Sequence, residues 1–120
     1  MELKDYFEKT KGFGVLSTSD DKGNLETVIY PSRPFILEDG TVLLLMENKF
    51  YHTNLLSNPK AIFIFFEEGQ RYKGKKLYLK KIKEEEEVHS GYSMTGGSTP
   101  GSVTYRVFFK VEREEPLLKF

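Results

Sequence analysis

The chain contains no cysteine. Disulfides, thiolate nucleophiles, iron–sulfur clusters and Cys-based zinc sites are therefore excluded. Histidine occurs only at His52 and His89, too few for a His-rich catalytic metal centre. Neither sign of charge is in surplus, because 18 Lys and Arg balance 18 Asp and Glu. That balance argues against broad nucleic-acid binding, which needs a clustered positive surface. No N-terminal apolar run resembles a signal peptide, and no stretch approaches the roughly 20 apolar residues of a membrane span. A soluble, cytoplasmic protein is expected. A chain of 120 residues is expected to form one domain, 1–120. Its core is too small to enclose a large cofactor, so a groove or a subunit interface is the expected place for one.

What is present is a succession of short apolar segments separated by turn signals. Leu3, Tyr6 and Phe7 stand at helical spacing and predict a short amphipathic helix that Gly12 can end. Gly14 to Ser19 and Leu25 to Tyr30 read as strands around an Asp20–Asn24 turn. Pro31 and Pro34 cannot donate to a ladder, so the chain is irregular there before Phe35 to Leu37 resumes extended structure. Glu38-Asp39-Gly40 is a hairpin signal leading to a strand at Thr41 to Met46. A polar entry and short helix follow over Glu47 to Ser57, stopped by Asn58-Pro59. Ala61 to Phe66 is apolar without alternation, which predicts a strand covered on both faces. Lys75 to Lys83 alternates weakly as a further strand. Glu84 to Glu87 reads as a solvated acidic run, Gly91 to Gly101 as flexible, and Val103 to Val111 as the last strand. Six or so strands with hairpin-length turns predict an antiparallel barrel.

Few motifs carry chemistry. Gly69 to Lys76 imitates a P-loop but has Lys76 where Ser or Thr should hold magnesium, and a strand rather than a helix follows. No serine is tied by a signature to a histidine and an acid. The segment Glu47 to Pro59 is more informative. Lys49 and His52 lie just before a short helix that Thr53 or Asn54 can cap. A helix N-terminus offers free N–H groups and partial positive charge, so this is a candidate phosphate cradle. The plain alternative is a capped helix with a surface lysine. Tyr30-Pro31-Ser32-Arg33-Pro34 places one arginine on an irregular strand end, where unpaired backbone groups can meet a heterocycle; the alternative is an edge strand blunted by prolines.

Several segments recur in a set order: Gly14 to Thr18 with Asp21-Lys22-Gly23; Val28-Ile29-Tyr30 before Arg33-Pro34; Asp39-Gly40-Thr41-Val42; Asn54-Leu55 with Asn58-Pro59; and Tyr72 to Leu79. In that order and spacing they resemble the FMN-binding split barrels related to pyridoxamine 5′-phosphate oxidase. The resemblance implies a mainly β fold, an antiparallel split β-barrel with short flanking helices, and a homodimer holding two FMN molecules between subunits. It implies that Lys49, His52, Thr53 and Asn54 are phosphate candidates, and that Ser32, Arg33 and Pro34 are candidates for the ring or ribityl chain. Met46, Glu47 and Asn48 would line the floor, and Tyr72 and Tyr105, reaching over from a second copy, would cover the ring. Tyr51 departs from the pattern, since many relatives have Lys or Thr there.

Two functional classes follow from this resemblance. One is a flavoprotein that transfers electrons as a reductase or carrier, with a nicotinamide nucleotide or a redox protein as its partner. The other is a non-catalytic module that holds flavin, deazaflavin or haem; a barrel without cofactor, serving only as an interaction dimer, is a further alternative. No acid, base or nucleophile stands out, which suits a protein whose cofactor supplies the chemistry.

Overall fold

A computed structural model describes residues 2–89 and 102–118. The Gly- and Ser-rich stretch 91–101 lies outside the described residues. Helix α1 (Leu3–Lys9) is followed by strands β1 (Gly12–Ser19), β2 (Leu25–Tyr30), β3 (Phe35–Ile36) and β4 (Val42–Glu47). Helix α2 (Phe50–Ser57) then leads to β5 (Lys60–Glu67), β6 (Gly74–His89) and β7 (Ser102–Pro116). All pairings are antiparallel, in the order β2-β1-β5-β6-β7-β4-β3. The expected antiparallel split barrel with short flanking helices is the fold observed. No helix among the described residues is long and apolar enough to cross a membrane.

Alternation along each strand sends one set of side chains inward. Leu16, Leu44, Phe63, Phe65, Leu77 and Phe109 are among those with no exposed surface, and together they form the core. Gly14 is required here, because a Cβ at that position would stand 2.2 Å from the Phe63 ring. The Phe63 ring in turn meets Tyr30 edge-on, with centroids 5.8 Å apart. Helix α1 closes one part of the barrel with Phe7, whose ring packs edge-on against Phe65 at 4.9 Å. Such a pair contributes about 0.5–1.5 kcal/mol beyond the area it buries.

The two sheet margins meet through a side chain. The Tyr30 hydroxyl, at the end of β2, accepts a hydrogen bond from the Leu45 N–H of β4 at 3.2 Å. Burial raises the pKa of this phenol, against a smaller opposing effect of that bond.

The strands extend further than the sequence suggests. The acidic run Glu84 to Glu87 is part of β6, paired with β7 from Val107 to Thr104; Glu86 and Glu87 are exposed, whereas Glu84 is mostly covered. The register shifts between Lys81 and Lys83, leaving Ile82 as an extra, exposed residue. A bulge of this kind re-aims the side chains that follow it. Lys81 opposes the buried Phe109 and, beyond the bulge, Glu84 opposes the buried Val107, so both face inward. On β5, only Ala61, Phe63 and Phe65 are buried, whereas Ile62, Ile64 and Phe66 remain half-open on the outer face. The expectation that this strand is covered on both faces therefore fails within one copy of the chain.

Candidate functional site

The junction of β4 and α2 brings two of the four expected phosphate residues, Lys49 and Thr53, together. Lys49 is the N-cap of α2 and makes no side-chain cap, while Thr53 and Asn54 lie inside the helix rather than capping it. Thr53 Oγ1 donates to the Lys49 carbonyl at 3.2 Å, a bond back along its own helix. Asn54 is buried, and its Nδ2 donates to Thr18 Oγ1 at 3.2 Å. Thr18 Oγ1 donates onward to the Tyr51 carbonyl at 2.9 Å, so α2 is tied to β1 from inside the barrel. The Tyr51 hydroxyl accepts the Glu47 N–H at 2.7 Å. Asn48, Lys49, Phe50 and Thr53 line an open cavity of about 400 Å³. Lys49 Nζ lies 3.3 Å from Glu47 Oε2, and both side chains are mostly exposed. A surface pair of this kind is weak, contributing about 0–1 kcal/mol, so an incoming phosphate can compete for the lysine.

His52 is placed differently from Lys49. It is 3% exposed, with Nε2 3.0 Å from Glu84 Oε1. Lys81 Nζ reaches the same oxygen at 2.6 Å. The imidazole stacks on Tyr105, with centroids 3.7 Å apart and planes 13° from parallel. Burial opposes ionisation of Glu84, but the hydrogen bonds from Lys81 and His52 outweigh it and hold the carboxyl below the usual glutamate value. This cluster joins α2 to β6 and β7 through the barrel interior.

The sequence matches no protein-family profile and no curated protein. Solved structures do match in shape. An FMN-binding protein from Syntrophomonas wolfei subsp. wolfei superposes with a TM-score of 0.65 at 13% identity, covering 99% of this chain and 86% of that one. An F420 reductase gives 0.64 at 10% identity, covering 96% and 98%. HutZ, the haem storage protein of Vibrio cholerae, gives 0.52 at 16% identity, covering 97% and 95%. This chain has the pyridoxamine 5′-phosphate oxidase-like split-barrel fold.

Within that split barrel the expected site residues divide into groups. Glu47, Asn48, Lys49 and Thr53 gather at the start of α2. Ser32, Arg33 and Pro34 line a separate groove of about 300 Å³ against Phe7 and Glu8 of α1. Arg33 Nη1 donates to the carbonyls of Phe7 and Glu8 at 2.9 and 3.0 Å, so it caps the last turn of α1. Met46, His52 and Tyr105, like Asn54, stand apart from these two groups. The side chain of Met46 is 1% exposed in the core, so only its backbone can face a ligand. The ring of His52 points into the barrel and is bonded to Glu84, so it does not join Lys49 at the surface. Tyr105 stacks on His52 within its own chain rather than standing free to reach another copy. Tyr72 is 69% exposed in the loop between β5 and β6, with a positive φ of 62°.

Sequence reading missed Glu84 and Lys81, because a run of like charges looks solvated until the bulge at Ile82 turns one of them inward. It also missed the hydroxyls of Tyr30 and Tyr51, whose partners are backbone groups on β4.

Proposed function

We propose that this protein binds FMN between two copies of itself and uses the flavin for electron transfer. The observation that carries the reading is the outer face of the sheet. Register places Ile29, Val15 and Ile64 side by side across β2, β1 and β5, with Phe13 stacked on Phe66 at 5.2 Å beside them. Ile29 is 60% exposed and Phe13 is 43% exposed. A contiguous apolar face of this kind is costly to leave in water and suits a two-fold interface, in which each copy covers the other. The likeness in shape to an FMN-binding protein and an F420 reductase supports a flavin as the bound group.

In this reading Lys49 and the N–H groups of Phe50 and Tyr51 hold the phosphate, because the next two, of His52 and Thr53, already donate to the Lys49 carbonyl. Glu47 yields its hold on Lys49 as the phosphate arrives. Thr18, Asn54 and His52 act from inside, fixing the helix so that its N-terminus is already in place before the ligand binds. Ser32, Arg33 and Pro34 remain candidates for the ring or ribityl chain, and Tyr72 of a second copy for covering it. The flavin, when bound, supplies the electron chemistry, and the chain positions it and limits access to it.

The competing class is a module that only stores a cofactor. The burial of His52 and its bond to Glu84 count against its serving as a haem ligand. The visible spectrum of the purified protein, loaded with FMN, separates the classes. Bleaching of the flavin bands by a reduced nicotinamide nucleotide or a reduced partner protein supports electron transfer. FMN that binds but resists every such reductant supports storage, and failure to take up FMN contradicts both flavin readings.

A further inference from the structure

The outer sheet face carries a second feature beside its apolar rows. Lys60 of β5 stands directly opposite Lys80 of β6, and Lys80 stands directly opposite Lys110 of β7. Three lysines in register across three neighbouring strands are an unfavourable arrangement, because like charges directly opposite each other repel at about 5 Å between Cβ atoms. One carboxylate answers them. Glu112, the extra residue of β7 opposite the Tyr78–Leu79 step, ion-pairs with Lys60. Among the described residues neither Lys80 nor Lys110 has an ion pair of its own. Both act on Glu112 only through their field, which adds to the Lys60 hydrogen bond in holding that carboxyl below its usual value. Two of the three lysine charges are thus uncompensated.

Lys60, at one end of this row, lines an open groove of about 560 Å³ together with Glu112, and Lys80 and Lys110 follow it in register across the next two strands. That volume lies within the range of about 300–1,000 Å³ usual for small-molecule sites. Ile62 and Tyr78 give the groove an apolar floor, and the Arg113 guanidinium lies over the Tyr78 ring at 3.9 Å. Ser17, Ser19 and Asn58 add hydrogen-bonding groups at its margin. By register it sits next to the row of Val15 and Ile64, so it falls at the rim of the proposed two-fold interface rather than under its centre.

We propose that this groove is a second binding site, for a phosphorylated ligand of nucleotide size whose phosphate groups rest on Lys60, Lys80 and Lys110. An aromatic base lies against Tyr78 and Ile62, and the sugar faces Ser17 and Ser19. A dianionic or trianionic phosphate supplies the counter-charge that Lys80 and Lys110 otherwise lack. The site is separate from the cradle at α2, shares no residue with it, and does not depend on the flavin reading.

Calorimetric titration of ADP and of adenosine into the intact protein tests this, with Lys80→Ala, Lys110→Ala, the double variant and Lys49→Ala compared with wild type. ADP is expected to bind at least tenfold more tightly than adenosine, since a charge-assisted phosphate contact corresponds to about a tenfold to hundredfold change in affinity. Each single lysine variant is expected to weaken ADP about tenfold and the double variant more, while Lys49→Ala leaves ADP binding unchanged. Lys80 and Lys110 are exposed, so their removal is expected to leave the melting temperature unchanged or raise it. ADP binding that survives the double variant, that matches adenosine, that is lost with Lys49→Ala, or that is absent up to millimolar ligand overturns the proposal. FMN titrated into the same variants reports separately on the α2 cradle.

Discussion

His52 and Tyr105 stack face to face at 3.7 Å, and this contact, with the bond from His52 to Glu84, joins α2 to the last two strands of the barrel. The pair sets the first prediction. His52→Ala removes a buried ring and a hydrogen bond to a charged group, and is expected to cost about 2–4 kcal/mol of stability by denaturant unfolding. Because the ring holds α2 from inside and does not reach the surface, any fall in the ratio of FMN to riboflavin affinity is expected to accompany that loss of stability. A fall in that ratio with unchanged stability would place His52 on the phosphate instead.

Glu84 gives the pH dependence of the same cluster. Its carboxyl titrates lower in the folded protein than in the unfolded chain. The stabilisation is therefore present above the ordinary glutamate range, near pH 4.3, and is lost as pH falls through the depressed folded value. Glu84→Gln is expected to flatten acid unfolding in that window relative to wild type. Parallel acid-unfolding curves for the two proteins would show that Glu84 does not contribute through its charge.

Arg33 caps α1 and makes no ion pair with Glu38 or Asp39 among the described contacts. Arg33→Ala is expected to cost about 1 kcal/mol, a fall of roughly 4 °C in the melting temperature of the cofactor-free protein. Differential scanning calorimetry checks this. An unchanged melt combined with weaker FMN binding would assign the guanidinium to the ligand.

The two-fold interface is tested at Ile29, which is exposed on β2 and so can be changed without disturbing the core. Wild-type protein is expected to scatter light as a dimer at micromolar concentration. Ile29→Lys is expected to give a folded monomer with at least tenfold weaker FMN binding. A wild-type monomer, or a monomeric variant that binds FMN normally, would contradict a site shared between copies.

Much of this fold is legible in the sequence because one-sided burial leaves a period-2 pattern. Val107 and Phe109, at alternate positions of the strand predicted over Val103 to Val111, are both buried in β7, and the irregularity at Pro31 to Pro34 follows from two missing donors. The candidate site is only partly legible. Glu47, Asn48, Lys49 and Thr53 are near neighbours in sequence and gather at the start of α2, whereas the intervening His52 and the adjoining Asn54 turn into the barrel. The inward turn of Glu84 depends on a bulge at Ile82, which no local pattern announces. The alignment of Lys60, Lys80 and Lys110 depends on strand register, so each reads alone as an ordinary surface lysine.

Whether the start of α2 holds the phosphate of FMN is decided by paired fluorescence titrations of FMN and riboflavin into wild type and Lys49→Ala. A charge-assisted contact of about 1.5–3 kcal/mol corresponds to a tenfold to hundredfold change in affinity. The account predicts that wild type prefers FMN to riboflavin, and that Lys49→Ala weakens FMN by about tenfold, towards the lower end because Glu47 shares the lysine, while leaving riboflavin unchanged. Equal losses for both ligands, or no FMN binding to wild type at all, would contradict it.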